Sequence, residues 1–134
     1  MKSVLAAIAL LVAITHPLAH GTEPGKAPGR QYVYGAEVVR VIDGSTVIMN
    51  IDLGFHVWLH DETMRLDGVN APDLKGEHKA EAQKWRDALQ SLLEGRKLII
   101  QTKKDKSPNP PTRFLVTIWA DDENVNEALP KAVK

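Results

Sequence analysis

The sequence predicts a mainly β protein with helices (α+β), built as a five-stranded Greek-key barrel of the OB type with one long helix after strand 3. Strand-like segments, rich in β-branched residues or alternating in polarity, fill most of the chain from Tyr32 onward. A single long amphipathic pattern interrupts them, and two more strand-like segments follow it. Three strands, a helix and two strands form the element order of such a barrel.

The first three strands are predicted to form an antiparallel meander, because short turns join them. They cover residues 36–42, 46–53 and 63–69. Asp43-Gly44 marks the first tight turn. Gly54 is interpreted as a bulge or bend before the strand-like run 55–59, and residues 60–62 are predicted to turn into the third strand.

The long helix is predicted over Glu77–Glu94, where apolar residues recur three and four positions apart. Gly95 and Arg96 follow it as a C-terminal cap would. Strands are predicted over residues 97–102 and 113–119, and a short helical stretch over residues 126–133. Together these segments complete the expected barrel.

The amino-acid composition indicates one domain and excludes several kinds of functional site. The chain has 134 residues, of which 43% are hydrophobic and 25% charged, so one globular domain is expected. Lys and Arg together number 17, as do Asp and Glu, so a nucleic-acid partner must be met by a local basic site. The absence of cysteine excludes a disulfide scaffold, a thiolate zinc site and a cysteine nucleophile.

The N-terminus predicts export. Residues 1–21 have the pattern of a signal peptide: Lys2 precedes the apolar run Val4–Ile14, which is shorter than the roughly 20 residues of a membrane span. An N-terminal core helix is the alternative. Residues 22–31 are interpreted as a Pro- and Gly-rich linker and residues 32–134 as the single domain. We therefore expect a secreted or periplasmic monomer, without a membrane association once the signal peptide is removed.

Ordered motifs resemble one known family. The segments Val41–Val47 (VIDGSTV), Arg65–Asp73 (RLDGVNAPD), the helix and Arg113–Leu129 resemble, in order and spacing, the staphylococcal nuclease (thermonuclease-like) family. The resemblance covers roughly residues 34–129, nearly the whole domain. It implies a hydrolase that cleaves phosphodiester bonds in DNA and RNA with a bound calcium ion.

The resemblance also implies roles for individual residues. Catalytic roles fall on Arg65, Asp73 and Arg113. Metal-binding roles fall on Asp43, Ser45, Asn70 and, through its backbone carbonyl, Ala71. Ser45, Asn70 and Asp73 depart from the family pattern, which has two aspartates and a glutamate there, so a weakened calcium site is expected. The family's last long helix has no counterpart in this sequence.

These residue types suit phosphodiester chemistry. Guanidinium groups bind the non-bridging phosphate oxygens through paired hydrogen bonds, and a carboxylate can take a proton from the attacking water. A hard divalent cation polarises the phosphate. Three hypotheses follow: a calcium-dependent nuclease; a nuclease-derived OB module that binds a nucleic acid, nucleotide or protein without cleaving; and a truncated, poorly folding relic.

Overall fold

Strands and helices follow the order that the sequence predicts, with one short strand added. The computed structural model describes residues 31–103 and 114–134. Its strands are β1 (Val33–Asp43), β2 (Thr46–Asp52), β3 (Trp58–Leu66), β4 (Leu98–Lys103), β5 (Phe114–Ala120) and β6 (Glu123–Asn124). Its helices are α1 (Lys79–Leu93) and α2 (Val125–Ala132). The predicted signal peptide, almost all of the linker, and Arg113 lie outside the described residues.

Five strands close into a mixed barrel. Their order is β3-β2-β1-β4-β5, and β5 also pairs with β3. The β3–β5 pairing is parallel, whereas the other neighbours in the barrel are antiparallel. Closure leaves no exposed edge between β3 and β5, and β6 extends β5 at its end. The predicted α+β class and the five-stranded barrel with a long helix after β3 are confirmed.

The core lies inside the barrel and beneath the two helices. Alternate residues of β2, Val47, Met49 and Ile51, point inward and are buried. Helix α1 buries Ala82, Leu89 and Leu93, and α2 buries Val125 and Leu129. Each large apolar side chain that is fully buried stabilises the fold by about 1.5–3 kcal/mol. In the part of the chain that the structure describes, neither helix has the length and hydrophobicity that crossing a bilayer requires.

The β2–β3 connection differs from the sequence prediction. The turn lies at residues 53–57, where the Leu53 and Val57 amides donate to the Val57 and Gly54 carbonyls at 2.9 Å. Strand β3 runs through residues 60–62, so the turn predicted there is wrong. Instead, Asp61 has a φ of 57° and its amide donates to Asn50 Oδ1, in a bulge that shifts the β2–β3 register.

The end of α1 is capped as the sequence predicts. Gly95 has a φ of 67°, the left-handed conformation that favours glycine. The Arg96 guanidinium donates to the carbonyl oxygens of Leu92 at 3.1 Å and Ala120 at 2.6 Å. It also forms an ion pair with Asp121, in the β5–β6 turn. Arg96 therefore joins the end of the helix to the end of the barrel.

Asn126 joins α2 to the barrel. Its Oδ1 accepts a hydrogen bond from the Ile118 amide at 3.0 Å. Its Nδ2 donates to the carbonyls of Asp67 and Val116, each at 2.9 Å. One half-buried amide side chain thus satisfies backbone groups of both β5 and the segment after β3.

Asn126→Ala is expected to lower the free energy of unfolding by about 2 kcal/mol. The change leaves the Ile118 amide and the Asp67 carbonyl without these partners, and an unsatisfied buried polar group costs about 1–3 kcal/mol. Urea denaturation measures the difference. Asn124→Ala is the matched control, because it removes only the helix-cap bond to the Glu127 amide, worth about 1 kcal/mol. Equal losses in the two variants would contradict a joining role for Asn126.

Candidate functional site

The turn between β1 and β2 holds two of the predicted metal-binding residues together. Asp43 Oδ1 accepts hydrogen bonds from the Ser45 amide at 2.8 Å and from Ser45 Oγ at 3.1 Å. An aspartate that binds the backbone two residues later is a common turn-former. Ser45 is only 8% exposed. The Asp43 carboxylate and the Ser45 hydroxyl are therefore fixed next to each other at the end of the barrel.

Gly44 packs this turn against two other parts of the chain. A Cβ atom placed on Gly44 would lie 2.6 Å from Trp85 Cβ and 2.7 Å from Ala71 Cβ. Both distances are far below van der Waals contact, so glycine is required here by close packing. The contact brings Ala71, another of the four predicted metal-binding residues, to the turn. Trp85 brings helix α1 into contact with the turn at the same point.

Arg65 lies on the neighbouring strand. It pairs with Thr46 in the β2–β3 ladder, and the amide of the next residue, Leu66, donates to the Ser45 carbonyl at 2.8 Å. Met64 and Leu66 are buried while Arg65 is exposed, so its side chain projects outward from the barrel. The guanidinium is thus available to solvent beside the Asp43–Ser45 turn.

A polar depression lies on the outer face of the barrel next to Arg65. Its volume is about 220 Å³, and its lining comprises Asp67, Gln101, Thr102, Lys103, Leu115 and Thr117. Leu115 pairs with both Arg65 and Lys103, so the three side chains occupy one face across β3, β5 and β4. Lys103 forms an ion pair with Asp67. Sequence analysis did not assign Asp67 or Gln101 a role. Asp67 is only two residues from Arg65 in the chain, whereas Gln101 is brought to this face by the register of β4 and β5.

Asn70 and Asp73 lie on the loop that leads from β3 to α1. Both side chains are exposed, and Asn70 directly precedes Ala71. Asp73 Oδ1 accepts a hydrogen bond from the Lys75 amide at 2.9 Å, and the Asp73 carbonyl accepts one from the Gly76 amide at 3.3 Å. These bonds hold the Asp73 carboxyl in a turn of its own loop. Within the described residues, hydrogen bonds to Asp73 do not extend to Arg65.

Arg113 lies outside the described residues, but the residues that follow it, from Phe114 onward, are described. Phe114 and Leu115 pair with Met64 and Arg65 in the parallel β3–β5 ladder. Of the seven predicted site residues, Asp43, Ser45, Ala71 and Arg65 meet at one corner of the barrel. Asn70 is next to this corner in the chain, and Asp73 lies farther along the same loop.

The oxygen atoms at this corner are of the kind that bind hard cations. Their number is smaller than a high-affinity site for such a cation has. Asp43 offers a carboxylate, Ser45 a hydroxyl, Asn70 an amide oxygen and Ala71 a carbonyl. Calcium takes about 6–8 oxygen ligands, and its affinity rises with their charge. Over residues 31–103 and 114–134, no three side chains of His, Cys, Asp or Glu are grouped so as to hold a metal ion. The set therefore matches calcium in the type of its oxygen donors, with a single carboxylate among them and fewer donors than calcium usually takes.

Comparison with known proteins gave no match to this chain. No protein-family profile matches the chain, and no curated protein matches it either. What can be inferred about function therefore depends on the geometry of this corner and on the sequence motifs that form it.

Proposed function

We propose that this chain is a nuclease of the staphylococcal nuclease family, secreted or periplasmic, that hydrolyses phosphodiester bonds in DNA or RNA with a calcium ion. We also propose that its barrel has the OB-type Greek-key connection of that family. One observation carries the proposal. The Asp43–Ser45 turn is hydrogen-bonded to β3 beside the exposed Arg65 and is packed on Ala71 through Gly44.

The two arginines bind the phosphate in this proposal. A guanidinium group is always charged and presents paired donors that match two phosphate oxygens. Arg65 projects from the barrel at the corner, and the residues that follow Arg113 pair alongside Arg65, which supports a common target for both. Arginines that act on phosphoryl transition states contribute about 10³–10⁵ in rate.

Asp73 acts as the general base in this proposal, taking a proton from the water that attacks the phosphorus in line with the leaving oxygen. A positioned base of this kind contributes about 10²–10⁴ in rate. The hydrogen bond that the Lys75 amide donates to Asp73 Oδ1, at 2.9 Å, limits the freedom of this carboxyl group. Asp73 is exposed, which leaves room for substrate and water.

Calcium would be held by the oxygen atoms of Asp43, Ser45, Asn70 and Ala71. A bound hard cation supplies polarisation of the phosphate and neutralises part of its charge. Only one of these four residues carries a negative charge, so the proposed affinity is low. Asn70 is exposed, so its amide oxygen is accessible from solvent.

Plasmid cleavage tests this function. Purified protein is incubated with supercoiled plasmid in millimolar calcium or in chelator. Nicked and linear products that appear only with calcium are expected, because an endonuclease cuts within the circle. Intact plasmid at high protein concentration with calcium would overturn the proposal.

Restoring the two missing carboxylates is expected to tighten calcium binding. The double variant Ser45→Asp with Asn70→Asp adds two negative charges at the corner, and we expect an affinity higher by at least about tenfold, or about 1.4 kcal/mol. Calorimetric titration with calcium measures the change. Ser91→Asp with Gln90→Glu is the matched control, because it adds the same charge on the exposed face of α1. If both double variants bound calcium equally well, the placement of the metal site would be wrong.

A second candidate is a barrel that binds nucleic acid, a nucleotide or a protein without cleaving. The single carboxylate at the corner and the turn-bound Asp73 favour it. A labelled oligonucleotide that binds and stays intact in calcium would support this candidate over the nuclease. A cooperative thermal transition would exclude the third hypothesis, a poorly folding relic.

A further inference from the structure

The polar depression beside Arg65 has a carboxylate and an ammonium group in its wall. Asp67 and Lys103 form an ion pair there. Leu115, which pairs with both Arg65 and Lys103, contributes apolar surface between them. The proposed nuclease mechanism uses Arg65 alone of these four residues. The other three are therefore available to bind a part of the substrate other than the phosphate.

The backbone of Asp67 is fixed to the barrel on both sides. Its amide donates to the Val116 carbonyl and its carbonyl accepts a hydrogen bond from Asn126 Nδ2, each at 2.9 Å. Recognition groups are most precise when they project from rigid backbone. The point from which the Asp67 side chain projects is therefore set by the fold, whereas Lys103 reaches it on a long, flexible side chain.

The ion pair between Asp67 and Lys103 is accessible to a ligand. The Lys103 side chain is 62% exposed and the Asp67 side chain 31% exposed. An ion pair at this level of exposure contributes little to stability, because water competes for both charges. The carboxylate and the ammonium group can therefore exchange each other for a ligand at little cost.

The depression has room for one nucleobase. Its volume is about 220 Å³. A protein cavity of about 150 Å³ binds benzene, so a purine fits the depression, whereas a base pair does not. Leu115 offers an apolar surface to the face of a ring, and Gln101 and Thr117 each offer both a donor and an acceptor. Selection among the bases therefore depends on Asp67 and Lys103.

Guanine is the base whose donors and acceptor match this pair. A carboxylate has two acceptor oxygens and no donor, and an ammonium group has donors only. The Watson–Crick edge of guanine has two adjacent N–H donors, at N1 and N2, beside the O6 acceptor. Adenine and cytosine have one amino group next to a ring nitrogen that a carboxylate repels, and thymine and uracil have one N–H between two carbonyls. Guanine alone therefore uses both oxygens of one carboxylate.

We propose that this depression is a base subsite in which Asp67 accepts hydrogen bonds from N1 and N2 of an unpaired guanine and Lys103 donates to its O6, a proposal that rests on the nuclease function proposed above. Arg65 holds a phosphate next to this guanine. Asp67 follows Arg65 by two residues, about 7 Å along an extended chain, a separation that one nucleotide can bridge. Base pairing occupies the same edge of guanine, so the preferred substrate is a single strand that contains guanine.

Titration with nucleoside monophosphates tests the subsite, because these ligands have no phosphodiester bond to cleave. Binding of the 3′- and 5′-monophosphates of deoxyguanosine, deoxyinosine and deoxyadenosine is followed by NMR of the backbone amides, with calcium present. The deoxyinosine compound lacks only the N2 amino group, so we expect it to bind about tenfold more weakly than the deoxyguanosine compound. The deoxyadenosine compound should bind more weakly still. 7-Deazadeoxyguanosine monophosphate keeps the Watson–Crick edge and should bind as deoxyguanosine monophosphate does.

Two variants separate the roles of the ion pair. Asp67→Ala removes both acceptor oxygens, so the deoxyguanosine and deoxyinosine compounds should bind equally well. Lys103→Gln should weaken both compounds alike, because both keep O6. Asp87→Ala is the matched control for Asp67→Ala, since Asp87 forms an exposed ion pair with Arg86 on α1, and it should keep the full preference for guanine. Urea denaturation verifies that each variant is folded.

Equal binding of the three nucleotides by the wild type would overturn the subsite, as would an Asp67→Ala variant that keeps the preference for guanine. A loss of preference in Asp87→Ala as large as in Asp67→Ala would overturn it too, because overall charge would then explain the effect. Plasmid cleavage by a protein without a guanine preference would overturn the subsite and leave the nuclease function standing. A guanine preference without cleavage would support the subsite in a barrel that binds nucleic acid and does not cut it.

Discussion

Arg65→Ala is expected to reduce calcium-dependent plasmid cleavage about a thousandfold, the lower end of the range for arginines that stabilise a phosphoryl transition state. Arg65 is exposed between two buried neighbours, so its side chain is free to meet a phosphate and is not part of the core. Unfolding stability should therefore change by no more than about 0.5 kcal/mol. The rate of loss of supercoiled plasmid measures the first quantity and urea denaturation the second.

Two further variants test whether the loss of cleavage is specific to the guanidinium group of Arg65. Arg65→Lys keeps the charge and loses the planar pair of donors, so an intermediate rate is expected. Arg40→Ala removes another exposed strand arginine, one that borders a groove between β1 and the end of α1. It should cleave as the wild type does. If Arg40→Ala lost as much activity as Arg65→Ala, the effect would be one of overall charge and the assignment of Arg65 would be wrong.

Gly44→Ala is expected to lower the free energy of unfolding by about 3 kcal/mol, at the upper end for an overpacked site. The new methyl group would meet Trp85 Cβ at 2.6 Å and Ala71 Cβ at 2.7 Å, and both atoms are fixed to the backbone. Neither can move without shifting α1 or the loop after β3. Because the turn is also bonded to β3 beside Arg65, cleavage should fall together with stability.

Gly35→Ala is the control for the glycine substitution. A Cβ at this position in β1 would lie 3.9 Å from Asp52 Cβ, an ordinary contact. Stability should stay the same or rise slightly, since alanine restricts the unfolded chain. Thermal and urea unfolding of both variants measure the difference. A Gly44→Ala protein as stable as Gly35→Ala would show that the turn does not pack on Ala71 and Trp85 as described.

Local patterns predicted the regular elements well. Apolar residues spaced three and four apart located α1, and Gly95 located its end, because both signals depend on neighbours within one or two turns. The same reasoning failed at residues 60–62. A polar, turn-forming sequence at Asp61 is equally compatible with a bulge inside a strand, and only pairing with Asn50 decides between them.

The sequence proposes a set of site residues, and it does not show which of them contact one another. The motifs around Asp43 and Arg65 are visible in sequence order. The contact of Gly44 with Trp85, and the hydrogen bond from Asn126 to the Asp67 carbonyl, join residues far apart in the chain. Such contacts depend on strand register and helix packing, which no local pattern encodes.

The exposure of Phe55 could not be predicted for a related reason. The sequence predicts a strand-like run over residues 55–59, after a bulge or bend at Gly54. In the structure Phe55 lies at the tip of a turn, with positive φ at three consecutive residues, Gly54, Phe55 and His56. Hydrophobicity alone does not distinguish a buried position from an exposed one.

Mapping a short single-stranded DNA oligonucleotide onto the protein surface tests the proposed site most directly. Backbone amide chemical shifts are recorded by NMR with calcium while the oligonucleotide is added. Shifts concentrated at residues 43–46 and 65–73 are expected, whether or not the oligonucleotide is later cleaved, and they should be lost in Arg65→Ala. Shifts confined to other faces of the barrel, or none at saturating oligonucleotide, would contradict a phosphate-binding role for this corner.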